Sequence, residues 1–425
     1  MRVLLVNDSA PGRKGTGGVE THVRQLHEAL VEHGTETTIL ASQPRGHPEM
    51  HTAHELLIPN FKAPPLRKHF LKNYRQHQVA LKRAFNFIEM FKPDVIHIHN
   101  LMDSGALRML RSCGPVVKSI HDCRPFCIKP YPVVASRLIG NSETFCERTF
   151  GPACWKHCYA HAGETPMQRI ESWSYFQPNL NALHEIVKTD QLIVYSHYLK
   201  ELALRKSKDA QRIHVVQLFT AAEQAASSAA PKPAGIPRFL FAGRLSPEKG
   251  ILKIFDALDR IPQVPVKLTI AGGGPLRSAV HERIKRSHPL HDIEMTGYLD
   301  QPQLYEYYHT TSVLLFPSIG SEGCPLSGIE AMYFGSTAIG FDTGGIEEWL
   351  INEKTGILLP RGDVGGLADT IEELSAAPQR IAQMGHQAQQ YVQKKFTRTN
   401  HIDQLLKTYR AAIQTRAAST TRTNG

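Results

Sequence analysis

The sequence predicts two α/β domains in tandem, each with a mostly parallel sheet covered by helices on both faces. Three observations carry this. Arg2–Asn7 is a short apolar run ending at turn residues, and a glycine-rich loop and an amphipathic helix follow it. A second strand–helix alternation begins at Arg238 and continues toward the C-terminus. Between the two lies 221–237, AAEQAASSAAPKPAGIP, an Ala/Ser/Pro-rich stretch with little to bury, which reads as a linker. The expected division is a first domain over 1–222, a linker over 223–235 and a second domain over 236–395. A C-terminal helix over 396–416 would cross back to the first domain, and 417–425 would be a disordered tail.

A chain of 425 residues has room for two or three cored domains, and 41% hydrophobic with 21% charged residues is an ordinary globular balance. MRVLLVNDSAPG has too short an apolar run for a signal peptide, and no stretch approaches the roughly 18 apolar residues of a membrane span. A soluble, cytoplasmic protein is expected.

In chain order, Gly12, Gly15, Gly17 and Gly18 lead from the first strand into a helix with Val19, Val23, Leu26 and Leu30 on its apolar face. Strand, glycine loop and helix can cradle a phosphate, because glycine lets backbone N–H groups approach an anion. The loop is neither G-x-G-x-x-G nor a P-loop, so a dinucleotide-dependent oxidoreductase lacks its fingerprint. Thr37–Ala41 reads as a second strand.

The net charge of +10 is unevenly spread. No acidic residue falls between Glu55 and Glu89, whereas Lys62, Arg67, Lys68, Lys72, Arg75, Lys82 and Arg83 do, with Leu66, Phe70, Tyr74, Leu81, Phe85 and Ile88 at near-helical spacing. A basic amphipathic helix suits an anionic lipid surface, here through 62–83; it equally suits a solvated helix packing its apolar stripe on a core. No recognition motif accompanies the charge, which argues against nucleic acid.

Strands at Pro93–His99 and Pro115–Ile120 follow, the latter ending in His121-Asp122. His97 and His99 read as strand-end neighbours. His121, at a strand's carboxyl end, is the candidate that faces a ligand, although any one of 22 histidines can be an ordinary core or surface residue. Cys123, Cys127, Cys146, Cys154 and Cys158 cluster in an insertion around 123–161, with His157 and His161 nearby. A structural zinc ion, reduced or redox-active thiols, and an iron–sulfur cluster are the readings open here; the spacing is not that of a zinc ribbon.

In the second domain FLFAGR ends at Arg244, SPEKG carries Lys249, and VKLTIAGGGP, IEMTGYL and VLLFPS are further strands with their exits. After VLLFPS comes SIGSEGCPLSGIEAMYFG, with a helix opening around Pro325. Glu322 falls in the loop and Glu330, eight residues on, about one turn into the helix. Such loops are where open α/β sheets hold ligands, and a helix N-terminus offers free N–H groups to a phosphate. Arg244 and Lys249 suit a diphosphate, and carboxylates accept from sugar and ribose hydroxyls. On spacing alone, two Glu flanking a tight turn is the competing reading. Together the residues describe a site for a nucleotide-diphosphate sugar.

With GTGGVE, His121-Asp122, GRLSPEKG, AGGGP, TGYL and EGCPLSGIEAMYFG, nearly the whole chain resembles the family-4 glycosyltransferases. The resemblance implies the GT-B fold, two Rossmann-like domains facing each other across a deep cleft, the first binding acceptor and the second the nucleotide sugar. It implies retaining transfer of a hexose from a UDP- or GDP-sugar to a hydroxyl, with no catalytic metal or other cofactor. Arg244 and Lys249 would stabilise the departing diphosphate, Glu322 would hold donor-sugar hydroxyls and Glu330 the ribose. Gly17, Gly18 and the Leu326 amide would approach phosphate, His121 would line the donor sugar's reacting face, and Gly273 and Tyr298 would complete the donor set.

Two features depart from the family's common pattern: Cys324-Pro325 stands in place of an aromatic and a glycine, and no Asn-Gly follows VVQLF. The cysteine-rich insertion resembles a subset tied to bacterial polysaccharide assembly, which implies a glycan or lipid-linked acceptor. The basic 62–83 stretch would allow a peripheral position on the inner face of the cytoplasmic membrane. The alternatives are a GT-B-fold sugar-nucleotide epimerase, which would turn over donor without acceptor, and a non-catalytic nucleotide-sugar-binding scaffold at a membrane surface.

Overall fold

A computed structural model describes residues 1–10, 17–43, 49–52, 54–61, 70–127, 133–135, 143–145, 150–154, 166–207, 209–226 and 235–423. The chain forms two units, Met1–Val216 with Ile402–Gly425, and Gln217–His401.

The first unit opens with β1 (Arg2–Asn7), α1 (Gly18–Glu32), β2 (Glu36–Gln43), β3 (Met50–His51) and β4 (Glu55–Pro59). Helix α2 (Phe70–Phe91), β5 (Val95–Ile98), α3 (Ser104–Cys113) and β6 (Val116–Ile120) follow. The cysteine-rich segment contributes an antiparallel pair, β7 (Val133–Ala135) and β8 (Glu143–Phe145), and the short α4 (Pro152–Cys154). Then come α5 (Pro166–Ile186), β9 (Gln191–Val194), α6 (His197–Leu204) and β10 (Ile213–Val215). The eight-stranded sheet runs β10-β9-β6-β5-β1-β2-β4-β3, and only the β3–β4 pair is antiparallel.

The second unit holds α7 (Ala222–Ala225), β11 (Arg238–Ala242), α8 (Ile251–Leu258), β12 (Val266–Ala271), α9 (Arg277–Arg286) and β13 (His291–Gly297). It continues through α10 (Gln301–Thr310), β14 (Val313–Phe316), α11 (Leu326–Tyr333), β15 (Thr337–Phe341), β16 (Gly356–Leu359), α12 (Val364–Ala376) and α13 (Pro378–Lys395). Its six strands, β13-β12-β11-β14-β15-β16, are all parallel. Helix α14 (Arg398–Thr423) begins in this unit and returns the chain to the first.

Parallel strands covered on both faces must be apolar along their length. All four residues of β14 (VLLF) are buried, as are all five of β6 (VVKSI), although the latter run contains a lysine. In each sheet the chain winds outward from one strand, then returns to pair with that strand's other edge. The return points lie between β1 and β5 and between β11 and β14. Loops leaving the carboxyl ends of such neighbours diverge and leave a crevice.

Three expectations are corrected here. Residues 222–225, placed in or beside the linker by composition, form α7, whose Glu223 carboxylate accepts from the Arg398 amide at 2.8 Å; 227–234 lie outside the described residues. The 417–423 stretch, expected within a disordered tail, continues α14, which runs to Thr423. Zinc is not supported: among the described residues no group of three or more His, Cys, Asp or Glu could hold a metal ion. Cys123 and Cys154 sit instead in the apolar core of the first unit. Cys146, Cys158, His157 and His161 lie outside the described residues.

Asp103 pins α2 to α3. It caps α3, accepting from the Ala106 amide at 2.6 Å, and its other oxygen lies 3.5 Å from His77 Nε2. His77 Nδ1 meets the Asn60 carbonyl at 3.0 Å, so both ring nitrogens face acceptors. Burial lowers the His77 pKa, but Asp103 and the backbone carbonyls outweigh it and the net shift is upward. A raised histidine pKa contributes stability that is present at low pH and lost as pH rises through the folded pKa. Asp103→Ala is expected to cost about 1 kcal/mol through the cap alone, and more at pH 6 than at pH 8.5. Urea denaturation at both pH values checks this; an equal cost at each would exclude the His77 contribution.

Candidate active site

In the second unit the crevice between β11 and β14 is assembled by close backbone approach. After β11 the chain passes Arg244 and makes a 3-10 turn over Pro247–Lys249. Gly250 follows with φ of 65°, and a Cβ there would lie 1.8 Å from the Pro317 carbonyl oxygen. Only glycine lets this turn rest on the exit of β14. The Glu248 carbonyl then accepts from the Ile319 and Gly320 amides at 2.9 and 3.0 Å, locking the two loops together.

That contact delivers Lys249 to Glu322. Nζ donates to both carboxylate oxygens, at 2.7 and 3.0 Å, and lies 5.7 Å from the Phe316 ring centroid. Glu322 is held through its own backbone, since its carbonyl accepts from the Gly345 amide at 2.7 Å. Gly344, at φ of 64°, leaves no room for a side chain: a Cβ would lie 2.3 Å from that same carbonyl. Four residues after Glu322, α11 starts at Leu326 behind its N-cap Pro325, which makes no side-chain cap hydrogen bond.

The other predicted donor residues fall around this platform. Arg244 is exposed and makes no ion pair among the described residues. Gly273 accepts from the Leu245 amide at 2.9 Å, tying the AGGGP turn to GRLSP. Tyr298 is 63% exposed at the exit of β13. Glu330 faces inward rather than toward solvent. Its Oε1 accepts from Thr220 Oγ1 at 2.8 Å and Gln301 Nε2 at 3.2 Å, and its Oε2 from the Tyr308 hydroxyl at 3.5 Å. Burial raises its pKa, partly offset by these donors.

In the first unit, Gly17 caps α1, and its amide donates to Glu20 Oε2 at 3.0 Å; Gly18 is the helix's first residue. Gly12 and Gly15 lie outside the described residues. His121 is the visible end of a buried polar network. Its Nε2 lies 3.1 Å from His99 Nδ1, and its ring centroid 4.7 Å from that of Tyr195 and 5.8 Å from that of His22. Ser119 Oγ bonds His97 Nε2 and the Tyr195 hydroxyl, each at 2.8 Å, and His97 Nδ1 bonds the Tyr409 hydroxyl of α14 at 2.8 Å. Burial, with neighbouring imidazoles and Lys118, holds His99 and His121 well below the usual histidine range, so both are neutral at pH 7. Beside them Asp122 pairs with Arg124 at 2.7 Å, and Arg124 also reaches Asn100 at 2.7 Å.

Residues 16–220 match the profile of Glycosyltransferase Family 4, and 223–391 that of Glycosyl transferases group 1. The chain belongs to the family-4, group 1 glycosyltransferases. This glycosyltransferase is 24% identical over 411 residues to glycogen synthase of Mycobacterium tuberculosis, spanning 91% of its own length and 90% of the relative's. Two solved structures share its GT-B fold. One is a glycosyltransferase from Rickettsia africae, with TM-score 0.69, 15% identity and 97% and 98% of the two chains covered. The other is Anabaena HepE in complex with UDP and glucose, with TM-score 0.61, 15% identity and 96% and 99% covered.

Lys249, Glu322 and Glu330 stand out as candidates in the sequence, whereas Thr220, Gln301 and Tyr308, which bond Glu330, carry no local signal. Lys118 did leave one, a cation inside a buried parallel strand.

Glu330 also gives a pH signature. A carboxyl with a raised native pKa binds its proton more tightly in the folded than in the unfolded state. Stability therefore falls as pH rises from the ordinary value of 4.5 through the folded pKa. Glu330→Gln cannot ionise and is expected to gain on the wild type over that interval. Thermal denaturation of both from pH 4.5 to 7 reads this, and a pH-independent difference would mean an unshifted carboxyl.

Proposed function

We propose that this glycosyltransferase moves a hexose, with retention, from a UDP- or GDP-sugar to a hydroxyl of a glycan or lipid-linked acceptor in bacterial polysaccharide or glycolipid synthesis. One observation carries the donor half of the reading: Lys249 and Glu322 are paired in the β11–β14 crevice, and α11 starts four residues after Glu322 without a side-chain cap from Pro325. Departure of a nucleoside diphosphate develops negative charge, which preorganised cations and amides stabilise. Arg244, Lys249 and the Leu326 amide take that role without a metal ion, aided by Gly17, Gly18 and Gly273. Glu322 accepts from donor-sugar hydroxyls, and Glu330 accepts from the ribose while its protein donors hold it. Tyr298 lies against the nucleotide, and the family likeness gives His121 the donor sugar's reacting face. A structural neighbour solved with UDP and glucose supports a sugar nucleotide as donor.

In the proposed step the bond from C1 to the diphosphate oxygen breaks as the acceptor oxygen bonds C1 on the same face. The acceptor's proton passes to the leaving phosphate, so no covalent enzyme intermediate forms. A thermal-shift panel of UDP, GDP, ADP and dTDP sugars tests the donor site. One nucleotide is expected to raise Tm with concentration, and Glu330→Ala to abolish the shift. Lys249→Ala is expected to lower transfer by about 100-fold or more, and EDTA to leave it unchanged. Donor turnover to an epimeric sugar nucleotide without acceptor would favour the epimerase instead, and binding without turnover the scaffold.

For the acceptor side we propose an anionic membrane surface. Between α2 and α3 runs a groove of about 690 Å³ lined by Tyr74, Leu81, Lys82, Phe85, Arg108 and Met109 among others. Tyr74 is 47% and Phe85 39% exposed, and Arg108 also meets Glu185 at 3.5 Å. Apolar floor with cationic rim is the chemistry of an interfacial helix. No described helix is long and apolar enough to cross a membrane. Flotation is expected with vesicles containing phosphatidylglycerol, not with pure phosphatidylcholine, and to weaken in Lys82→Glu/Arg108→Glu; equal behaviour on both vesicles would exclude it.

A further inference from the structure

Lys118 is the third residue of β6, flanked by β5 and β9 in the middle of the first sheet, and is only 2% exposed. A lysine in such a place costs stability that a leucine or methionine would not. It makes no ion pair among the described residues. Instead Nζ donates to two main-chain carbonyls, that of His99 and that of Ser119, the latter at 2.7 Å. A neutral amine has two N–H groups, which matches two carbonyl acceptors.

Those two carbonyls belong to the residues that organise the imidazole network. His99 directly follows β5 and meets His121 through its ring; Ser119 joins His97 to Tyr195. Nζ therefore ties together the backbones of the two strands from which His99 and His121 project. We propose that Lys118 is a positioning residue: as a neutral amine it fixes the His99–His121 pair and so orients His121 for catalysis. The inference rests on the role assigned to His121 above.

The electrostatic surroundings agree. Burial, then Arg124, lower the Lys118 pKa to about 7, against opposing pulls from Asp122 and Asp8. His22 on α1, His97 on β5, His99 just after it, His121 on its own loop, Tyr195 next to β9 and Tyr409 on α14 complete the titratable groups of the network. Protonation of Lys118 adds a third N–H and a charge to a place with two acceptors. Its removal near pH 7 thus restores the arrangement just described.

Lys118→Met keeps the length of the side chain and removes its donors. With the sugar nucleotide that gives the largest shift in the panel of UDP, GDP, ADP and dTDP sugars, release of nucleoside diphosphate is followed against pH. The variant is expected to lose about tenfold or more in kcat with donor KM within about threefold. The wild type's rise in kcat through about pH 7 disappears. Stability supplies a separate sign. The unfolded lysine holds its proton up to its ordinary pKa of 10.5, so wild-type stability rises with pH above 7 relative to Lys118→Met, and their Tm difference shifts accordingly. An unchanged kcat and pH profile in a folded variant would overturn the inference.

A second arm holds even if the Lys118 variant does not fold. In long-range 1H–15N spectra, with His121 assigned by its loss in His121→Gln, the His121 ring signals are expected to move through about pH 7 while remaining those of a neutral imidazole. Signals unmoved between pH 6 and 8.5 overturn the proposal. Failure of every sugar nucleotide to bind or turn over would instead overturn the donor reading, and the spectra would still decide the coupling of Lys118 to His121.

Discussion

A parallel strand can be followed by another only through a crossover, so every strand of such a sheet releases its chain from the same edge. That constraint governs both units. Where the winding direction reverses, between β1 and β5 and between β11 and β14, two neighbouring loops leave in opposite directions and leave a space that helices do not fill. Asn7, His99 and His121 gather at or beside the first of these edges. Arg244, Lys249 and Glu322 gather at the second.

The edge by itself does not make a site; backbone proximity does. In the second unit the loops are brought together by the approach of Gly250 to Pro317 and of Gly344 to Glu322, both of which exclude a Cβ. The result is a partly buried ion pair between Lys249 and Glu322. Lys249 is thereby oriented on Glu322, whose backbone is clamped by the Gly345 amide. Glu330 is prepared differently. It is buried under three hydroxyl and amide donors, which keep its carboxylate aligned while burial raises its pKa.

The first unit uses a polar core rather than an ion pair. Histidines kept neutral by burial donate or accept one proton per nitrogen, so their orientation depends on which partner holds which proton. Ser119, Tyr195 and Tyr409 supply partners at 2.8 Å, and Lys118 holds the strand backbones beneath. Such a network is rigid only when its members are satisfied, which makes α14 part of the site's support although it lies far away in sequence.

By itself the sequence determined the two α/β units, most of their strands in chain order and the loops that could bear a site. Apolar runs, helical spacing and glycine exits are local properties, each readable within a dozen residues. It also singled out Glu322, Lys249 and Arg244 through the residue types that a diphosphate and sugar hydroxyls require. It misread 222–225, where Ala-rich sequence looked like linker yet forms α7 and meets Arg398. Only the tertiary structure decided which groups meet. Lys249 and Glu322 are 73 residues apart, Thr220 and Glu330 are 110, and His97 and Tyr409 are 312. No periodicity encodes a separation of that size: the partner is chosen by the order in which parallel strands are laid beside one another, and that order exists only once the sheet has formed.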